Sequence, residues 1–482
     1  MTSPVRASSP TTFAACPDRS RSPSRPRRIA LALACSAVAG PIVGVSSGPA
    51  RASFFDTYGF SARAVARGGA FVALGFDYDA AYYNPANVLS RKRVHLGFGF
   101  DYVAPSMDFE AVQGEFQPLS PDANLGFHLG FSTPIGGIFD NVLGFGLAFF
   151  HPLTTGTDVS SVDPSLPWWY RYQSLPNKLI IAAGLAAEPV EWLRLGVGAQ
   201  LLAGLDGEVD ATISLAEGRF QHESIDLEVV PRLGPTFGLA LGPFGNPELG
   251  HFRFGATFRG ALELDYSLPV RVDIEQVGEL DVLVRGVSLY TPDQLALGLG
   301  WESSPAPEAG FSAEIGLTWE RWSGAPPAGA RFILSVDDRY LQPTNPNDPS
   351  DTPDKLIDVQ GEPTPLGAID TVSARTGIEW RPDDHWALRA GYVYRPTPLP
   401  DPVYQTNTLD ASAHVMSLGV GLQFGDPTGD KASPLSLDLA LQWTHLNSRA
   451  VQKDPLAGSP QGAYQAGGEV WHISLDLRHD YF

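Results

Sequence analysis

The chain is 482 residues long, with Gly 50 and Pro 42 making up nearly a fifth of it and charged residues only 18%. That composition works against long helices, and the apolar 43% is spread through short alternating stretches, as in a large all-β chain. A formal net charge of −20 excludes nucleic acid as a partner, because that binding rests on neutralising phosphates with Lys and Arg.

At the N-terminus, Arg25, Arg27 and Arg28 precede an apolar stretch over 29–45, and Ala50, Arg51 and Ala52 follow it. A basic start, a short apolar core and a small-x-small end mark a secretory signal, so residues 1–52 are read as a leader. Ser36, Gly40, Pro41 and Ser46 interrupt the stretch and argue against a spanning helix. A lipid anchor at Cys35 would leave only 29–34 as apolar core, shorter than the roughly seven residues a leader needs. Both cysteines, Cys16 and Cys35, fall in the leader, so the mature chain has no disulfide or thiol site. Losing the leader's seven Arg and one Asp leaves 26 basic groups against 52 acidic ones. No later run approaches the roughly 18 to 20 apolar residues of a transmembrane helix, so an exported membrane protein with this sequence is a barrel.

Residues 53–92 are rich in aromatic and small residues. Phe54, Phe55 and Tyr58 come first, and Gly59, Gly68, Gly69 and Gly75 let the stretch fold compactly against a wall, as a filler for a wide barrel would. Asp77 or Asp79 is placed to cap a short helical turn over 80–83, which Pro85 ends.

Residues 93–482 read as the barrel. Thirteen segments of apolar-polar or apolar-glycine alternation recur between Pro, Asp, Asn and Gly clusters: 95–102, 126–131, 143–149, 178–187, 193–201, 252–262, 294–301, 312–319, 373–380, 386–394, 414–424, 435–443 and 470–477. One more from the ambiguous 226–241 region gives about 14, an even number as single-chain bacterial barrels require. In the last segment Trp471, Ile473, Leu475 and Leu477 share one face, and His472, Ser474, Asp476 and Arg478 the other, a lipid side and a lumen side. A soluble β-sandwich shows the same alternation. Trp301, Trp319, Trp322, Trp380, Trp386 and Trp443 near segment ends favour the membrane reading, since an aromatic girdle belongs there. Two long polar loops complete the pattern. The loop over 337–366 reads as a solvated excursion; the other, 154–174, carries Trp168, Trp169, Tyr170 and Tyr172, which form either a hydrophobic landing patch or a loop folded onto the rim.

The run from Ser61 to Leu74, followed by Asp79-Ala-Ala-Tyr-Tyr-Asn84-Pro85-Ala86, resembles the plug region of the FadL/TodX fatty-acid and hydrocarbon transporters. Tyr290-Thr-Pro-Asp-Gln-Leu, Leu317-Thr-Trp-Glu-Arg-Trp322 and Arg389-Ala-Gly-Tyr-Val-Tyr-Arg-Pro resemble strand starts and ends of the same family. At the C-terminus the likeness weakens: Phe482 follows Tyr481, but position 480 is Asp where an apolar residue is usual. The resemblance implies a transmembrane antiparallel barrel with an N-terminal plug in its lumen and a passive channel for hydrophobic small molecules in the outer membrane. It further implies Phe54, Phe55 and Tyr58 as pocket or gate residues, and Asn84, Pro85 and Ala86 as a plug turn against an inward kink of the third strand. That kink would open a gap to the bilayer, with Asn84 bonded near Gly144 or Gly146. The expected partners are a hydrophobic small molecule and outer-membrane lipid, with the protein a monomer and no cofactor or metal. Arg259 and Lys178 are the basic candidates for meeting a carboxylate, by charge alone.

Two other classes remain to be weighed. A structural or adhesin barrel would lack a continuous apolar path. An outer-membrane lipase would need a nucleophile, but the G-x-S-x-G match, Gly44 to Gly48, lies in the leader. The ten histidines lack HExxH spacing, and the acids of 337–366 lack that of a calcium loop.

Overall fold

The computed structural model describes residues 54–111, 121–136, 142–153, 167–172, 179–214, 219–246, 248–274, 278–303, 309–326, 331–337, 355–361, 365–402, 407–425, 434–452 and 463–481. The segment 1–52 read as a leader, Lys178, Phe482 and the Phe54 side chain lie outside them. Three short helices come first, α1 (Phe54–Tyr58), α2 (Ala62–Ala66) and α3 (Ala80–Tyr83), then a 3-10 turn over Pro85–Leu89. The strands follow: β1 (Val94–Ala111), β2 (Asn124–Ile135), β3 (Leu143–Pro152), β4 (Trp168–Trp169), β5 (Ile180–Val190), β6 (Leu193–Ser214), β7 (Arg219–Asn246), β8 (Gly250–Arg259), β9 (Leu262–Ile274) and β10 (Gly278–Thr291). The second half supplies β11 (Gln294–Glu302), β12 (Gly310–Glu320), β13 (Arg331–Asp337), β14 (Lys355–Gly361), β15 (Thr371–Arg381), β16 (Trp386–Arg395), β17 (Thr408–Leu409), β18 (Ala413–Phe424), β19 (Leu435–Val451) and β20 (Tyr464–Tyr481).

Fourteen of these strands close into an antiparallel barrel, in the order β1-β2-β3-β5-β6-β7-β8-β11-β12-β15-β16-β18-β19-β20 and back to β1. Each of the thirteen alternating segments overlaps one of them, although 252–262 runs on past the end of β8, and the fourteenth, 226–241, lies within β7. The seam runs unbroken from Val94 opposite Tyr481 to Ala111 opposite Tyr464, so the unusual Asp480 keeps its register and points into the lumen. Closure removes both sheet edges, as a chain surrounded by hydrocarbon requires.

Period two then decides which residues meet lipid. On β1, Leu96, Phe98, Phe100 and Tyr102 face out while His95 and Asp101 are buried inside. On β20, Trp471, Ile473 and Leu475 face out and His472, Ser474 and Asp476 face in. Trp380, Trp386 and Phe252 sit half-exposed toward one end of the outer wall and Trp471 and Tyr392 toward the other, the two interfacial girdles of a membrane barrel. Trp322 departs from the expected girdle: it is buried in a 3-10 turn (Trp322–Gly324) that folds inward over the lumen.

The turns at one end are short, with two residues between β5 and β6, and the first and last strands meet there. The opposite end, called upper below, carries the long connections. Strands β6 and β7 run 22 and 28 residues and project beyond the barrel. There β9 and β10 pair with each other, β9 lies parallel to β6, and β13 and β14 extend the sheet from β10. Part of the expected 337–366 loop is therefore strand.

Candidate functional site: the plugged lumen

The segment from Phe54 to Leu89 fills the barrel interior, and most of its residues are buried. Its helices are four or five residues long, too short to persist alone, so the wall holds them in place. Glycines on the inward face of successive strands make that fit possible. A Cβ at Gly97 or Gly130 would overlap the Tyr78 ring, and one at Gly377 or Gly391 would overlap the backbone or side chain of Arg67. Within the plug, Gly68 and Gly69 have positive φ, which turns the chain sharply between α2 and Ala70.

Charged side chains pin the lower and middle plug. Arg63 binds Asp77 at 3.0 Å and Glu379 of β15 at 3.1 Å, and Arg478 of β20 binds Asp77 at 2.7 Å. Glu314 of β12 accepts the backbone N–H groups of Val72, Ala73 and Leu74 at 2.7 to 3.0 Å. Asp476 accepts the Ala62 N–H and the Tyr78 hydroxyl, and also meets His128, which in turn meets Asp101. Asp77, His95 and Asp480 bring ligand-type atoms within 4.8 Å of one another, but Arg63 and Arg478 already hold Asp77, so this is an ion-pair knot. Neither aspartate caps α3 as the sequence suggested. Asp79 takes the N-cap position without a capping bond and accepts instead from the Ser61 hydroxyl at 2.8 Å. Burial, and after it the Asp77 carboxylate, pushes the Asp79 carboxyl up to about 7.

The upper lumen is aromatic. The Phe55 ring lies 4.6 Å from Phe60, 4.9 Å from Tyr82 and 5.6 Å from Phe150 of β3. Tyr58 packs on Tyr172 and His472. Above them β4 pairs in parallel with β17, and Trp168, Trp169, Tyr170 and Tyr172 are all buried. Of the two readings open for this loop, the described residues take the folded one and form a roof: Tyr170 packs edge-on against Trp322, and Arg171 binds Asp410 at 3.0 Å. A run of four large rings within five residues gains more by covering the aromatic plug than by facing water. Arg259 lies at the upper end of β8. It donates to the Tyr82 carbonyl, to Asp56 at 3.4 Å and to Gln294, with its guanidinium 4.4 Å from the Tyr82 ring.

The Asn84-Pro85-Ala86 turn touches the wall at a different place from the one expected. Asn84 Nδ2 donates to the Val72 carbonyl at 2.9 Å and to the Leu239 carbonyl of β7 at 3.0 Å, while Oδ1 accepts the Ala86 N–H. Pro85 and Ala86 lie on Gly184 of β5 and Gly196 of β6. Gly144 and Gly146 of β3 face Leu89 and Val88 instead. Strand β3 pairs with β2 and, over 143–150, with β5 without a register shift, so the ladder is unbroken there among the described residues. The chain runs on four more residues through the 3-10 turn before it reaches β3, which is why the asparagine meets a wall three strands further round.

No family model and no curated protein matches this sequence. Solved structures do match. A FadL homologue from Pseudomonas aeruginosa aligns at 13% identity over 90% of this chain and 99% of its own, with a TM-score of 0.52. The toluene transporter TodX of P. putida aligns at 15% identity over 88% and 99%, with a TM-score of 0.51. A mutant of the TodX monoaromatic hydrocarbon channel aligns at 15% over 89% and 100%, with a TM-score of 0.52. By strand number, closure and filled lumen, this chain has the plugged 14-stranded barrel fold of the FadL and TodX outer-membrane proteins.

Proposed function

We propose that the protein is an outer-membrane channel for passive entry of hydrophobic small molecules and that it performs no covalent chemistry. The observation that carries this is the aromatic chamber in the upper lumen, which the chain fills with its own Phe55. A ring from the plug stands where a lipophile would sit, so withdrawal of α1 would exchange one apolar occupant for another at little cost in exposed surface. Phe55 and Tyr58, and Phe54 before them, are then the gate. The polar lower wall suits a seal that keeps water-soluble solutes out. A merely structural barrel has no use for an aromatic chamber roofed by a second aromatic layer.

For exit, the unbroken ladder at β3 argues against a gap in that strand. The turn over 84–86 rests on Gly184, Gly196 and Gly238, a stretch of inner wall without side chains, and we place the plug movement that frees a path there. Asn84→Ala should lower uptake several-fold while the barrel still assembles, and full uptake by the inserted variant would exclude this hinge. The channel itself is tested by uptake of labelled oleate and toluene in cells lacking their own such transporter. Uptake of either supports it; an assembled barrel that passes neither supports the structural reading.

A further inference from the structure

We infer that the sheet projecting above the barrel is an interface between two copies of this chain, and that strand register sets the face through which they meet. Six strands take part, in the order β7-β6-β9-β10-β13-β14, and among the described elements only these pack against β9, β10, β13 and β14. Their paired positions fall into rows. Ile225, Val209, Val270, Val282, Leu334 and Val359 stand opposite one another across all six strands, and paired positions share one side of a sheet. Two residues nearer the tip the row reads Ala211, Val272, Leu280, Val336 and Ile357, with Glu223 breaking it at the β7 edge. Two residues nearer the barrel it holds Leu268, Val284 and Phe332. Shifted by a single residue, the row is Ser224, Asp210, Arg271, Asp281, Ser335 and Asp358, polar at every position. Such alternation belongs to a sheet that is covered on one side and wet on the other.

Area and charge point to a second copy as the cover. At about 4.8 Å per strand and about 3.3 Å per residue, three rows across the sheet make a face of about 29 Å by about 17 Å, or roughly 500 Å². A continuous apolar face of that size marks a binding surface, and two of them together bury about 1,000 Å², enough for a specific interface. Small apolar solutes are held in concave pockets, whereas a broad sheet face is complemented by another sheet. The chain carries a net charge of −20, and the polar row has three aspartates to one arginine, so two copies repel through that side and meet through the uncharged one. Copies standing upright in one membrane are related by a two-fold axis along its normal, which sets rising strands against rising strands in an aligned sandwich. A dimer replaces the monomer expected from the sequence, and each copy keeps its own lumen.

Cross-linking in intact outer membranes tests this on the full chain, whose two cysteines, Cys16 and Cys35, both lie in the segment read as a leader. Val282→Cys and Asp281→Cys alter neighbours on opposite faces of β10, one of the two central strands of the sheet. Each is treated with a bismaleimide that spans about 10 Å, the distance between packed sheets. The expected result is a cross-linked dimer from Val282→Cys and little or none from Asp281→Cys. Adding Val270→Asp to Val282→Cys should lower the yield about 10-fold or more, because a buried carboxylate without a partner is costly. Barrel assembly of each variant is read from its shifted mobility in unheated SDS, and the comparison of the two cysteine variants stands even where Val270→Asp fails to assemble. Equal yields from both faces, or no dimer from either, would overturn the interface. A Val282→Cys thiol that forms no dimer and that a water-soluble maleimide cannot reach would assign the cover to another part of the same chain. One that oleate or toluene alone protects would assign it to a solute, and either result would overturn the dimer while leaving the channel reading untouched.

Discussion

Single residues decide whether the plug fits. Tyr78 shows this most directly, because its ring lies flat against two facing glycines, Gly97 of β1 and Gly130 of β2, and its hydroxyl reaches Asp476. Gly130→Val should therefore expel the Tyr78 ring and break its bond, at a cost of about 1 to 3 kcal/mol for overpacking. Limited proteolysis of the assembled barrel would report it as new cleavage within 54–89; an uncut plug would mean that the ring relocates freely. Asp79 sets a pH dependence. Its folded carboxyl is raised to about 7 from an ordinary value of 3.8, so its contribution to stability is fully present below pH 3.8 and is lost as pH rises through 7. Plug protection should then be greater at pH 5 than at pH 8, and Asp79→Asn should flatten that difference. A wild type with equal protection at both values would contradict it.

At the scale of elements, the plug and roof form one aromatic body with contributions from distant parts of the chain. The pairing of β4 with β17 joins residues near 168 to residues near 408, and Trp169 also packs on Phe109 of β1. Trp169→Ala should remove about 3 to 5 kcal/mol of packing, with the barrel ladder intact. Measured as hydrogen exchange, the loss should fall on α1 and the 167–172 segment and spare β15 and β16. Exchange rising evenly through the barrel would show instead that roof and wall unfold together. The same view explains the aromatic run over 168–172. The sequence left two readings open because four large rings suit a membrane surface and a folded lid equally well, and only the pairing partner at 408–409, more than two hundred residues away, separates them.

For the whole molecule, the outer wall is the solvent boundary and the bilayer is the solvent. Leu418, in the middle of β18, is 64% exposed, while its neighbour Ser417 is buried in the lumen. Leu418→Arg should cost about 2 to 4 kcal/mol if the position lies near the bilayer midplane, and Leu418→Phe almost nothing. Folding titrations into lipid vesicles would measure both, and a tolerated arginine would place β18 outside the hydrocarbon.

The sequence by itself determined the strands that cross and the side each residue faces. That information is local, because period two and the turn residues between segments are read within ten residues, and all fourteen wall strands could be found that way. The plug was legible through the likeness of 61–86 to a known family's plug, which its glycines and rings support as a compact filler. Tertiary structure alone decided where things meet. The strands β9, β10, β13 and β14 form by pairing with one another and with the projecting β6, so no membrane-length alternation announces them. Asn84 bonds β7 rather than β3, because the wall that a plug residue reaches depends on how the whole segment winds inside a closed cylinder.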